Sequence, residues 1–224
     1  MHRYSSIFTG SIVLMVCLIG TALFGTALNA AVVNITAEIE SVRVQHGESQ
    51  IVIQRNQDSN NTINPAFAKT SRQCPPFCIQ PARLAPGVET IAELEVLDYL
   101  KLLGDGDNSF LIVDSRSADW VAKGTIPGAI NIPWTKFDTD QGANSISIGE
   151  VLQERLNARN LGGLWDYSTA QTLIMFCNGP WCGEASSSIL NLLKYGYPAN
   201  KIKWYRGGMQ SWESLGLTTV APVE

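Results

Sequence analysis

The chain has 224 residues, 45% of them apolar, enough for one domain of ordinary size with extensions and a sizeable core. Its formal net charge is −4 and it holds no basic run, which removes the electrostatic footprint of a nucleic-acid binder. His2 and His46 are the only histidines, so a His-rich zinc site is excluded, and a Ser-His-Asp or Cys-His mechanism would have to recruit His46 from a distant N-terminal segment.

The chain opens with His2 and Arg3, continues in an uncharged, largely apolar run from Ile7 to Phe24, and then scatters small residues from Gly25 to Ala31. That order predicts a secretory signal peptide over residues 1–30, cleaved near Ala30. The alternative is an uncleaved membrane anchor, because the apolar run is nearly long enough to span a bilayer. Cys17 has no small residue before it, which argues against a lipoprotein anchor. The expectation is an exported chain, periplasmic in a Gram-negative cell. Export would place Cys74, Cys78, Cys177 and Cys182 in an oxidising compartment, where each pair must be weighed as a disulfide.

Residues 31–89 read as an N-terminal extension. Val42 and Val44 alternate with polar residues, His46-Gly47 offers a turn, and Ile51 and Ile53 alternate again, which predicts a β-hairpin over 41–54. Residues 55–88 read as an extended linker that packs on the main domain through Phe67, Phe77 and Ile79, and it includes Cys74-Pro-Pro-Phe-Cys78.

The main domain is expected over 90–220. Thr90-Ile-Ala-Glu93 reads as a capping box for a helix carrying Ile91, Leu94, Leu97 and Leu100 and stopped at Gly104. Phe110–Val113 reads as a buried strand, Ala118–Lys123 as a short helix and Ala129–Ile132 as a short strand. Ser147-Ile-Gly-Glu150 reads as a second capping box, opening a helix through about Ala158. Strands at Leu173–Phe176 and Ile202–Tyr205 alternate with helices at Glu184–Tyr195 and Gln210–Leu215. The alternation predicts an α/β fold: a central parallel sheet flanked by helices, with its site at the carboxyl ends of the strands.

The sharpest candidate site is Leu173-Ile-Met-Phe-Cys177-Asn-Gly-Pro-Trp-Cys182-Gly-Glu184. It puts Cys177 at the end of a buried strand, before a loop and a helix start. Converging N–H groups and the helix dipole at such a turn favour the thiolate, the nucleophilic form of cysteine. The loop is Asn178, Gly179, Pro180, Trp181 and Gly183, with Cys182 as either a second redox thiol or a small apolar residue. Cys74 and Cys78 read as a structural disulfide, a metal pair short of ligands, or a redox relay toward Cys177. Trp181 and Trp134 serve either as a site wall or as core. Asp114 and Arg116 serve as a hydrogen-bonded brace at the strand end, with acid–base work as the alternative. No metal and no cofactor are expected.

Residues 90–218 resemble a rhodanese domain. Leu111-Ile-Val-Asp114-Ser-Arg116, Trp120 and Gly124-Thr-Ile-Pro-Gly-Ala-Ile-Asn-Ile-Pro133 are similar to the family's N-terminal signature. Tyr205-Arg-Gly-Gly208, Trp212 and Gly216-Leu217 are similar to its C-terminal signature, and Cys177 stands at the position of its catalytic cysteine. The resemblance implies a sulfurtransferase. The Cys177 thiolate would take sulfane sulfur from a small donor, thiosulfate or polysulfide, hold it as a persulfide, and pass it to a thiol or to cyanide. Residues 178–183 would supply N–H donors to the anionic sulfur.

The chain departs from that pattern in charge. The loop cation of many active rhodaneses, often five residues after the cysteine, is replaced by Cys182, and Glu184 adds a negative charge beside the loop. Arg206, on a neighbouring loop, is the remaining candidate for binding an anion, and Thr125 replaces a histidine often seen before Ile-Pro-Gly-Ala. Two other classes stay open. One is a thiol–disulfide protein using Cys177 and Cys182 with a redox partner protein. The other is a non-catalytic module that binds a partner through residues 32–88.

Overall fold

Three apolar runs, Phe110–Val113, Leu173–Phe176 and Ile202–Tyr205, are short and nearly continuous, as strands buried on both faces must be. In the computed structural model, which describes residues 32–222, they form the centre of one sheet. The expected signal segment, residues 1–30, lies outside the described residues. Among the described residues no helix is long and apolar enough to cross a membrane.

The chain begins with the hairpin β1 (Ser41–His46) and β2 (Ser49–Gln54), then the one-turn α1 (Pro65–Ala68). It continues through β3 (Glu89–Ile91), α2 (Glu93–Gly104), β4 (Phe110–Asp114), α3 (Ala118–Val121) and β5 (Ile130–Asn131). Next come α4 (Ser145–Glu154), a small hairpin of β6 (Arg159–Leu161) and β7 (Leu164–Asp166), and β8 (Thr172–Phe176). It closes with α5 (Glu184–Lys194), β9 (Ile202–Tyr205) and α6 (Gly208–Ser214). The main sheet runs β3-β9-β8-β4-β5, and every pairing in it is parallel.

Strand alternation divides the core into two. Val113, Leu173, Met175, Ile202 and Trp204 face one side, where α4 adds Ile148 and Leu152 and α5 adds Ala185, Ile189 and Leu192. Phe110, Ile112, Ile174, Phe176 and Tyr205 face the other, where α2 adds Val96, Leu97 and Leu100 and α6 adds Met209 and Trp212. Each fully buried Val, Leu or Ile here contributes about 1.5–3 kcal/mol of transfer free energy.

The second core also takes Val42, Val44 and Ile53 from the N-terminal hairpin and Phe67 from α1. Val44 of β1 and Leu100 of α2 pack against Gly128, in the turn before β5, whose φ is +85° and where an added Cβ would meet the Val44 side chain at 2.7 Å. His46 locks the same corner: Gly128 N–H donates to its Nδ1 at 3.1 Å, and its Nε2 pairs with the Ala221 carbonyl at 2.9 Å. Both ring nitrogens are therefore committed to the scaffold. Ile79, expected to pack inward, is 83% exposed.

Local signals misplace several boundaries. The expected cap at Thr90 lies in the edge strand β3, because Ile91 pairs with Tyr205 of β9 and is buried there. The helix begins two residues later, with Glu95 accepting from the Ala92 N–H at 3.0 Å. Leu94, assigned to the buried face, is 49% exposed, and Val96 takes that place. The expected cap at Ser147 is the N3 residue of α4, since Asn144 supplies a better-placed carbonyl oxygen to the Ile146 and Ser147 N–H groups. The hairpin turn falls on Gly47-Glu48, with φ +58° at Gly47.

Candidate active site

Asp114, Phe176 and Tyr205 lie level in register across β4, β8 and β9, so Cys177 is the first residue past the carboxyl edge of the central strand. Two bonds from the start of α6 fix the backbone of Cys177 and Asn178. Met209 N–H donates to the Cys177 carbonyl at 3.0 Å, and Gln210 N–H donates to that of Asn178 at 2.9 Å. This closeness explains Gly208. Its φ is +55°, and a Cβ there would collide with the Cys177 carbonyl oxygen.

Cys177 and Cys182 are joined as a disulfide, with their Cα atoms 6.2 Å apart. The loop between them closes when Cys182 N–H donates to the Gly179 carbonyl at 2.9 Å. That amide is thereby taken from the set of donors expected to face the sulfur. Both cysteines, Asn178 and Gly179 are buried, and Pro180 and Gly183 are partly so.

Asp114 and Arg116 form a fully buried ion pair. Arg116 Nε donates to Oδ1 at 2.8 Å and Nη2 to Oδ2 at 2.6 Å. The remaining Arg116 bonds go to the carbonyls of Gly124 and Trp120 and to Asn178 Oδ1, while Thr125 Oγ1 donates to Asp114 Oδ2. A charge pair this deep is tolerated only when its hydrogen bonds are filled, as they are here. The pair braces the strand end against the Cys177 loop, and Thr125 is part of that brace.

Arg206 binds the extension. Its guanidinium donates to the carbonyls of Gln80, at 2.7 and 3.2 Å, and Pro81, at 3.0 Å. Gln80 N–H in turn donates to the Pro180 carbonyl at 2.7 Å, and Ser186 Oγ donates to Gln80 Oε1 at 3.0 Å. The extension is thus clasped to the cysteine loop. Cys74 and Cys78 are disulfide-bonded to each other, with Cα atoms 4.6 Å apart. Each of the four cysteines therefore pairs locally, and no bond joins the two pairs.

That clasp carries Phe77 to Trp181, edge to face at 5.7 Å between centroids, while the Arg72 guanidinium lies 3.7 Å over the Trp181 ring. Trp181 is 9% exposed, with Nε1 donating to Gln210 Oε1 at 2.9 Å. It is the partition between the extension and the cysteine loop. Trp134 lines a cavity of about 330 Å³ with Phe77, Trp120, Cys182 and Glu184. A larger cleft of about 610 Å³, walled by Gln54–Gln57, Glu213 and Gly216–Thr219, has no thiol in its lining.

Glu184 is the residue the sequence pattern undervalued. It opens α5, and its Oε2 lies 3.4 Å from Cys177 Sγ and 3.7 Å from Cys182 Sγ. Burial first, then the nearby Asp114 charge, push its carboxyl up to about 7, against the pull of Arg116 and a backbone hydrogen bond from Ser117. A carboxyl poised there can take or return a proton beside either sulfur. Its position at the first turn of a helix after Cys182 was the available signal. Phe77, between two cysteines, and Trp120, inside a signature, carried weaker ones. Cys177, Cys182 and Glu184 also place ligand atoms within 4.8 Å of one another, a set that could hold a thiophilic ion only with the disulfide reduced.

No curated protein matches the chain. Among solved structures, it is similar to the BH2092 protein of Bacillus halodurans: 22% identity, 55% of this chain and 70% of that one, TM-score 0.39. The single-domain sulfurtransferase RDL2 of Saccharomyces cerevisiae matches at 19% identity over 56% of this chain and 88% of its own, TM-score 0.38. A thiosulfate sulfurtransferase of Pseudomonas aeruginosa matches at 22% identity over 61% of this chain but 21% of its own, TM-score 0.39. The family model described as the rhodanese-like domain matches residues 96–215, more than half of the chain. With the parallel sheet and the loop cysteine in place, the chain belongs to the rhodanese-like domain family.

Proposed function

We propose that this chain is an exported sulfurtransferase that carries sulfane sulfur as a persulfide on Cys177. The observation that carries the reading is the position of Cys177: first residue past the carboxyl edge of the central strand, pinned by Met209 and Gln210, at the mouth of a helix. The reduced thiolate attacks the sulfane sulfur of a donor, the donor's S–S bond breaks, and the sulfur stays on Cys177. An acceptor thiolate then attacks the outer sulfur and leaves Cys177 as a thiolate again. Export is supported by the apolar N-terminal run and by four cysteines that all pair as disulfides.

A second reading, a thiol–disulfide protein, is favoured by the Cys177–Cys182 bond itself. The two readings share one chemistry. Cys182 thiolate attacks Cys177 Sγ in the persulfide, the S–S bond to the outer sulfur breaks, and hydrosulfide leaves as the intramolecular disulfide forms. A partner dithiol then supplies two electrons and two protons to restore both thiols.

Sulfur transfer from polysulfide to a thiol or cyanide acceptor, followed in wild type, Cys177→Ser and Cys182→Ser, tests the proposal. The persulfide reading expects loss of transfer only in Cys177→Ser. Equal loss in both variants, with disulfide reductase-type exchange intact in wild type, moves the assignment to the redox reading.

A further inference from the structure

We propose that Cys74–Cys78 is a second redox site, through which a dithiol protein delivers electrons to the Cys177–Cys182 bond. The inference rests on cycling of that bond, which the sulfurtransferase and thiol–disulfide readings share. Cys177 and Cys182 are 3% and 5% exposed. Exchange requires a thiolate to touch a disulfide sulfur, which a protein dithiol cannot do at a bond this deep. Cys74, by contrast, is exposed and Cys78 is partly so. Exposed disulfides are the labile and catalytic ones.

A structural role explains the Cys74–Cys78 bond poorly. It joins cysteines at a sequence separation of 4, across a turn that the Phe77 N–H already ties to the Gln73 carbonyl at 3.0 Å. The stabilisation from a disulfide is smallest for loops this short. Other contacts hold the extension: Phe67 in the core, Arg206 on Gln80 and Pro81, and Gln80 on Pro180.

The surroundings fit transfer from outside to inside. Cys74 and Cys78 line a cleft of about 720 Å³ with Arg72, Ile79, Pro180 and Trp181, and no acidic side chain lies in that lining. Among the described residues, Arg72 Nε and Nη2 have no hydrogen-bond partner, so the guanidinium keeps donors for a thiolate released beside it. Pro76 and Phe77, which lie between the two cysteines in sequence, line the separate cavity that contains Cys182. One short loop thus meets both the outer cleft and the chamber of the buried pair.

The steps balance. A partner thiolate attacks Cys74 Sγ, the Cys74–Cys78 bond breaks, and Cys78 leaves as a thiolate. The partner's second thiolate attacks the partner sulfur of the mixed disulfide and releases Cys74, so the partner departs oxidised. The Cys78 thiolate then attacks Cys182 Sγ, and Cys177 leaves as a thiolate. Cys74 attacks Cys78 Sγ, the mixed bond breaks, and Cys182 is released. Two electrons and two protons have passed from the partner to Cys177 and Cys182, and Cys74–Cys78 is restored. The Cys78–Cys182 bond is an intermediate, and residues 74–78 move toward the cavity to form it.

The test reads each bond by differential alkylation and peptide mapping on the full chain. Reduced thioredoxin serves as the protein dithiol, and dithiothreitol as a small one that enters the cavity unaided. Thioredoxin is expected to reduce Cys177–Cys182 in wild type, and at least about tenfold more slowly in Cys74→Ser/Cys78→Ser. Dithiothreitol is expected to reduce that bond at similar rates in both chains, because it bypasses the relay. Cys74→Ser/Cys177→Ser lacks both the resolving and the leaving thiol, and mild oxidation is expected to trap an intramolecular Cys78–Cys182 bond in it. Equal thioredoxin rates in the two chains, equal slowing by both reductants, or no Cys78–Cys182 bond in the trap overturns the relay. A relay that fails while the dithiothreitol-reduced chain still takes sulfur on Cys177 is rejected alone. A relay that works in a chain that never takes sulfur on Cys177 stands, and the sulfurtransferase reading falls.

Discussion

The Glu184 carboxyl lies 3.4 Å from the sulfur of Cys177 and 3.7 Å from that of Cys182, at the first turn of the helix that follows the loop. A carboxylate there disfavours the thiolate that the helix dipole favours. Glu184→Gln removes the charge and keeps the shape. The reduced variant is expected to alkylate with iodoacetamide several-fold faster than wild type near pH 7.5, and the difference is expected to shrink below pH 6, where wild-type Glu184 is protonated. An unchanged pH profile would remove Glu184 from the thiol chemistry.

The same residue makes stability depend on pH. Its ordinary carboxyl value of 4.5 applies to the unfolded chain, and burial raises the folded value to about 7. The folded state therefore binds more protons between those values, and Glu184 costs stability as pH rises through that window. The contribution is fully favourable below about pH 4.5 and lost above about pH 7. Urea melts of wild type and Glu184→Gln at pH 5 and pH 8 are expected to show a smaller loss of stability across that interval in the variant.

Asp114→Ala leaves the Arg116 guanidinium buried without its counter-charge. The expected cost is about 3–5 kcal/mol, read from the urea midpoint at constant slope. A cost below 1 kcal/mol would mean that the pair does not brace the cysteine loop.

Gly208→Ala adds a Cβ against the Cys177 carbonyl in a backbone region with φ +55°. The expected loss is about 1–3 kcal/mol from left-handed strain and overpacking. Because Met209 and Gln210 anchor the cysteine loop, reactivity of the reduced Cys177 is expected to fall as well. Loss of stability with unaltered thiol reactivity would separate the C-terminal signature from the site.

Phe67→Ala tests whether the extension belongs to the core. Phe67 is fully buried and lies 6.0 Å, centroid to centroid, from Trp120. The expected cost is about 3–5 kcal/mol in global unfolding. A variant that unfolds in two steps, with the second at the wild-type midpoint, would show an independent extension.

The parallel sheet and its central strands were legible because buried apolar runs alternate with amphipathic helices, a pattern that admits few other arrangements. β3 was not, since Glu89–Ile91 looks like a helix start until Tyr205 is placed beside it. The position of Cys177, just past the central strand, was legible from strand, loop and helix order alone. The aromatic wall was not, because Phe77 and Trp120 lie far apart in sequence and line one cavity only in the fold. The tie from Arg206 to the extension was hidden for the same reason: its sequence neighbours the site, while its hydrogen bonds reach Gln80 and Pro81. Glu184 was read for its charge, and only its burial in the fold raises its carboxyl.

The most direct test of the persulfide on Cys177 is intact mass with peptide mapping on reduced Cys182→Ser after exposure to polysulfide. That variant lacks the thiol that would expel the outer sulfur, so a persulfide should persist. The account predicts one added sulfur, mapped to the peptide carrying Cys177 and removed by a thiol acceptor. A chain that gains no sulfur, while wild type cycles its Cys177–Cys182 bond with a dithiol, would contradict it.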